Sequence, residues 1–102
     1  MRLVFSEPAA HDLEGIIDYI ALDDPGAAER VYRAVLDAAK NLTEFPEMGR
    51  TGRLPGTREL TLPRLPYLIV YQVSPSVVTI LAVFHGARDL VRALADRERL
   101  LK

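Results

Sequence analysis

The stretch 66–89, PYLIVYQVSPSVVTILAVFHGARD, constrains the fold more than any other part of the chain. Two apolar, β-branched runs, 67–73 and 77–84, flank the turn residues Ser74, Pro75 and Ser76, which is the pattern of a β-hairpin. Strands this apolar must be buried, so a core has to form around them. The second run stops at His85, Gly86, Arg88 and Asp89. That polar cluster falls at the rim of the core, where small domains place working groups.

The remaining segments supply what can cover such a hairpin. Residues 2–5 are a short β-prone segment, and Ser6 has the character of a helix N-cap, with Glu7 and Pro8 in the first turn. Leu13, Ile16, Ile17 and Ile20 recur at the spacing of one helical face. Asp23, Asp24, Pro25 and Gly26 interrupt that helix, and Asp24 with Pro25 starts a second. Its stripe is Ala28, Val31, Tyr32, Val35, Leu36, Ala39 and Leu42, and Pro46 ends it. So short a link predicts an antiparallel helical hairpin. Residues 46–56 (PEMGRTGRLPG) have no periodicity and are expected as a loop. Residues 57–62 alternate like a half-buried strand, with Thr57, Glu59 and Thr61 on one side and Arg58, Leu60 and Leu62 on the other. Residues 90–101 have helical character but much charge. The expected fold is therefore α+β, β-α-α-β-β-β: a largely antiparallel sheet with the helical hairpin packed on one face and an optional short C-terminal helix. All 102 residues are expected in one domain.

Composition narrows the function classes. The chain has no cysteine, which excludes disulfides and thiolate metal sites and fits a reducing compartment. It has neither a signal-peptide pattern at its start nor a run approaching the roughly 18 apolar residues of a membrane span, so a cytoplasmic location is expected. The net charge of -1 hides a division. Acidic side chains concentrate before residue 50, and basic ones after it. One surface is thus suited to an anionic partner, although two unevenly charged solvated surfaces would read the same way.

No phosphate loop, metal-ligand cluster or cysteine nucleophile is present, and no metal or cofactor is expected. Arginines dominate what is left: Arg50, Arg53, Arg58 and Arg64, with Arg88 after the last strand. The guanidinium fork suits phosphate and carboxylate, so these five are candidates for anion or target binding. Arg58, Arg64, Arg88 and His85 would be the catalytic candidates if the chain cleaved RNA, the arginines neutralising a phosphate and His85 moving a proton. The alternatives are ion pairs to Glu59, Asp89 or the acidic helices, and simple packing for His85. Tyr67 and Tyr71 alternate with Ile69 and Val73 and are expected to face the core. His11 is expected on a polar helix face.

Several pieces in order, SEPAAHDLEGIIDYI after the opening strand, FPEMGR at 45–50, TREL at 57–60, PYLIVYQV and VFHGARD, resemble the RelE/ParE superfamily of toxins from bacterial type II toxin–antitoxin modules. The resemblance covers nearly the whole chain and implies the same β-α-α-β-β-β fold. One branch of the superfamily, RelE-like, comprises ribosome-dependent messenger endoribonucleases. For that branch Arg58 and Arg64 match the region of phosphate-binding arginines, and His85 that of a C-terminal general acid. The other branch, ParE-like, includes the plasmid-stabilisation proteins and inhibits DNA gyrase without being an enzyme. Lys40 is the sole lysine before Lys102 and no tyrosine follows Tyr71, so the lysine-rich nuclease set is missing. The resemblance therefore favours the ParE-like branch, with the ribonuclease as alternative and a toxin that only binds its antitoxin as a third reading. Each implies a hetero-oligomer with a cognate, ParD-like antitoxin, whose C-terminal segment would lie along the helical hairpin and sheet and meet exposed apolar positions such as Leu54.

Overall fold

The structure, a computed structural model, describes residues 1–86. Its elements are β1 (Arg2–Phe5), α1 (Glu7–Ala21), α2 (Pro25–Glu44), β2 (Arg50–Thr51), β3 (Arg58–Thr61), β4 (Tyr67–Val73) and β5 (Val77–His85). The expected C-terminal helix, with Arg88 and Asp89, lies outside the described residues.

Local chemistry starts both helices where the sequence indicates. The Ser6 hydroxyl accepts the Ala9 N–H at 3.2 Å, and Asp24 Oδ1 accepts the Ala27 N–H at 3.1 Å. A proline follows each cap in the first turn, where no intrahelical partner is lost. The helices pack on one face of a five-stranded sheet of order β1-β5-β4-β3-β2. Neighbours are antiparallel except β1, which pairs with β5 in parallel at the outer edge. The fold is therefore α+β, with one parallel pair in the largely antiparallel sheet. The segment expected as a loop contains β2, a pair of residues too short to show a period.

The helix-side core joins Leu13, Val35 and Leu42 to Ile69, Tyr71 and Ile80. Tyr67 and Tyr71 are buried there, as their alternation implies. Tyr32 and Leu36 depart from the expected stripe: Tyr32 is exposed, and both line a groove between the helices instead. A second apolar cluster, Leu68, Val70, Leu81 and Ala82, lies on the far face of the sheet. Leu54, expected as an exposed contact, packs against this cluster and is only half exposed.

One irregularity determines what the end of β5 can do. Val70 pairs with Ala82 but Tyr71 pairs with Ile80, so Leu81 is an extra residue on β5, a β-bulge. Strand side chains alternate with period two, so one inserted residue exchanges the faces beyond it. Val78 and Ile80 face the helices; after the bulge Val83 does so too, and Leu81 and Ala82 both face away. The backbone there is held from α1 and its cap. Ser6 Oγ donates to the Leu81 carbonyl at 3.3 Å, and Asp12 Oδ2 accepts the Val83 N–H at 3.1 Å.

Candidate functional site

The loop between α2 and β3 is fastened to the sheet by three side chains. From the helix-side core, the Tyr71 hydroxyl donates to the Pro46 carbonyl at 2.8 Å and accepts the Gly49 N–H at 2.9 Å. Arg58 donates to the Gly49 carbonyl at 2.6 Å and to that of Glu47 at 3.5 Å. Glu59 reaches the loop from the far face: Oε2 accepts the Arg53 N–H at 2.9 Å, and Oε1 accepts from Arg50 Nη2 at 3.2 Å. The loop glycines are spatial requirements. A Cβ on Gly49 would lie 2.6 Å from the Tyr71 hydroxyl, and one on Gly52 would overlap the Thr57 side chain.

These contacts sort the sequence candidates. Arg58 gives its Nη1 to two loop carbonyls and so helps to hold the loop. Arg50 forms the expected ion pair with Glu59, whose side chain is 1% exposed, yet the Arg50 side chain stays 62% exposed. Arg53 is anchored through its backbone, and its guanidinium has no carboxylate partner among the described residues. Arg50 and Arg53 together flank a depression of about 200 Å³ whose other walls are Thr61, the 65–68 segment and Gly86. Arg64 stands apart on the β3–β4 turn, exposed and with left-handed backbone at φ 63°, and does not wall that depression. Arg88 lies outside the described residues.

His85 belongs to a different hollow. The bulge turns it to the helix side, where it pairs with Tyr67 across the strands and meets its ring edge-on at a centroid distance of 5.4 Å. Both line a cleft of about 710 Å³ with Asp12, Gly15, Ile16 and Tyr19. No arginine is among its described lining residues, and no histidine is among those of the Arg50–Arg53 depression. The packing expected for His85 is thus an aromatic edge contact on an exposed ring. His11 is exposed on α1.

Burial pushes the Tyr67 and Tyr71 phenols above their ordinary range. For Tyr71 the Gly49 N–H and the Arg58 charge act in the opposite direction but do not prevail. A neutral Tyr71 retains the hydroxyl proton it gives to Pro46. Its chemistry is that of a structural donor and acceptor.

Sequence reasoning named Glu59 as an ion-pair partner but missed its burial and its hold on the Arg53 backbone, and missed the anchoring role of the Tyr71 hydroxyl. A carboxylate in a strand that also carries Thr57 and Thr61 reads as solvated. The only signal was its position just after three arginines, two of the preceding loop and one of its own strand.

A helical hairpin on one face of a mixed five-stranded sheet, with a basic loop at the β2–β3 edge, defines the α+β architecture of the chain. The chain matches, over residues 3–90, the family model described as the ParE toxin of the type II toxin–antitoxin system parDE. It belongs to that family, and so to the RelE/ParE superfamily of type II toxins. The protein named "Putative toxin Y4kP" of Sinorhizobium fredii is 43% identical over 91% of this chain and 96% of its own length. Toxin RelE2 of Caulobacter vibrioides is 36% identical over 85% of this chain and 97% of its own. The solved structure described as the chromosomal ParDE TA system from P. aeruginosa superposes with a TM-score of 0.74 at 30% identity, covering 84% of this chain and 96% of the other.

Proposed function

We propose that this toxin acts by binding and obstructing DNA gyrase, without cutting RNA, and that it is held inactive by a cognate antitoxin in a hetero-oligomer. The observation that carries this reading is that His85 and the Arg50–Arg53 pair line different hollows. A nuclease needs a proton-transfer group within hydrogen-bond reach of the phosphate that the cations hold. Here, among the described residues, the histidine and the Arg50–Arg53 pair line two different hollows that share only Tyr67, and Arg58 gives one of its nitrogens to loop carbonyls. The arginines then serve as target contacts: Arg50 and Arg53 as a pair and Arg64 apart from it, with Arg88, outside the described residues, a further candidate. Supercoiling by purified gyrase should fall when this protein is added in excess and recover when the antitoxin is added. Undiminished supercoiling would reject gyrase as target.

The antitoxin reading is supported by solved relatives described as toxin–antitoxin complexes, among them RelBE2 of Mycobacterium tuberculosis at 26% identity and a TM-score of 0.60. It is also supported by an apolar groove of about 340 Å³ lined by Phe5, Leu13, Ile17, Tyr32 and Leu36. An amphipathic helix laid in such a groove is a common recognition mode.

A messenger ribonuclease is the second reading, favoured by the Caulobacter relatives named Toxin RelE1 and RelE2. It requires codon-positioned cuts in a translating extract that disappear with His85→Ala. If induction leaves growth unchanged while a tight antitoxin complex can still be isolated, the chain only binds its antitoxin.

A further inference from the structure

We propose that the Arg50–Arg53 depression is a binding site for one peptide carboxylate, a glutamate or aspartate side chain that a partner protein presents beside an apolar residue. The proposal deepens the reading of these arginines as target contacts and rests on it.

Charge sets the valence of the ligand. The depression has Arg50 and Arg53 as its only charged walls among the described residues, and the buried Glu59 carboxylate stands behind them. Both oxygens of Glu59 are used, one by Arg50 Nη2 and one by the Arg53 backbone. Two guanidinium groups against one buried carboxylate leave a single positive charge, which one monoanion neutralises. Donors remain to receive it. Arg50 is tied through one nitrogen only, and the Arg53 fork has no carboxylate partner among the described residues. A guanidinium with free donors takes a carboxylate through paired charge-assisted hydrogen bonds.

The site is also prepared. Glu59 fixes the Arg53 backbone, the Tyr71 hydroxyl fixes Gly49, and Gly52 N–H donates to the Thr57 carbonyl at 2.8 Å. Arg53 therefore springs from backbone that is already ordered, which lowers the entropy lost on binding.

Shape separates a peptide from a nucleic acid. The floor is Leu65, Pro66 and Leu68, which suits an aliphatic stem. A hollow of about 200 Å³ has room for a side chain; it is smaller than the roughly 300–1,000 Å³ of sites enclosing larger small molecules. Single-stranded nucleic acid binds through rows of cations and open aromatic faces. The one aromatic residue among the described lining of this hollow, Tyr67, is only 7% exposed and offers no open face for a base.

The test is a titration of the isotope-labelled full-length protein, followed by the amide signals of Arg53 and Gly86 and the guanidinium Nε signals. The probes are N-acetyl-Leu-Glu-Leu-amide, its Gln twin, and a dithymidine phosphodiester. The Glu peptide should shift these signals saturably, and the Gln twin should bind at least ~10-fold more weakly, one decade per 1.4 kcal/mol. Arg53→Ala should abolish the response. Its side chain makes no hydrogen bond or ion pair among the described residues, so the fold is kept, and Arg64→Ala should change affinity less than about twofold. An equal response to the Gln twin overturns the proposal, as does tighter binding of the phosphodiester, or equal losses from Arg64→Ala and Arg53→Ala. None of these outcomes depends on gyrase, so failure here and failure of the supercoiling assay are read separately.

Discussion

On the helix side of the sheet, Val35, Ala39 and Leu42 of α2 share a core with Ile69, Tyr71 and Ile80, all without exposed surface. On the far side, Leu68, Val70, Leu81 and Ala82 share their layer with Glu59, a charged residue 2% exposed. Apart from the Tyr71 hydroxyl, the first face is specified by volume and periodicity, and an apolar set of the right size would serve it. The second is specified by hydrogen bonds between named atoms, because a buried carboxylate is tolerated only with its partners in place. Stability can come from either design. The second also ties the exposed Arg50 to a buried carboxylate.

The comparison can be broken most forcefully from the helix side. Leu42→Ala should cost about 3 kcal/mol, measured by urea unfolding, whereas Leu42→Met should cost less than about 1.5 kcal/mol. A large loss with methionine would mean that this core, too, is specified by shape. On the far face, Glu59→Ala should cost about 2 kcal/mol, because the Arg53 N–H loses its acceptor and a gap opens beside Val70. Arg50 is mostly exposed, so its released charge adds little. A loss under about 0.5 kcal/mol would show that Glu59 does not organise the loop.

Tyr71 joins the two designs, with its ring in the helix-side core and its hydroxyl on the loop. Tyr71→Phe should cost about 1.5 kcal/mol, since the Pro46 carbonyl and Gly49 N–H lose their shared partner. It should also change the response to alkali. Burial raises the folded-state pKa of Tyr67 and Tyr71. The unfolded chain therefore releases these protons first. Their contribution is complete below the ordinary phenol value of about 10 and is lost as pH rises through the raised folded values. Denaturant titrations from about pH 8 to about pH 11 should show a shallower alkaline loss in Tyr71→Phe than in the parent chain. An unchanged slope would remove Tyr71 from that linkage.

The smallest effect is expected at the cleft of His85. Gly15 lies in the middle of α1, and a Cβ there would meet nothing within 4 Å. Gly15→Ala should therefore stabilise by about 0.5–1 kcal/mol, seen as a higher melting temperature. A loss instead would mean that the cleft is tighter than its geometry implies.

Much of this architecture was legible in the sequence because its signals are local. Ser6 and Asp24 cap helices with their own neighbours, and the helical stripe and the strand alternation each repeat within a few residues. The stripe failed at Tyr32, which sits at the border of the buried face. Alternation grouped Glu59 with Thr57 and Thr61 correctly, but it could not reveal that the far face is covered at Glu59 and open at Thr61. The run VTILAVF is apolar at both parities, so no pattern within it marks Leu81 as the inserted residue.

The arginine content, the helical hairpin and the buried β-hairpin were determined by the sequence alone. Which arginines share a hollow, and which face receives His85, were decided only by the tertiary structure. The helix-side placement of His85 depends on one extra residue at Leu81. The backbone around that bulge is held by Ser6 and Asp12, 75 and 71 residues from their partners along the chain. A period is written into neighbouring residues, whereas a bulge persists only where distant groups satisfy the hydrogen bonds it disturbs.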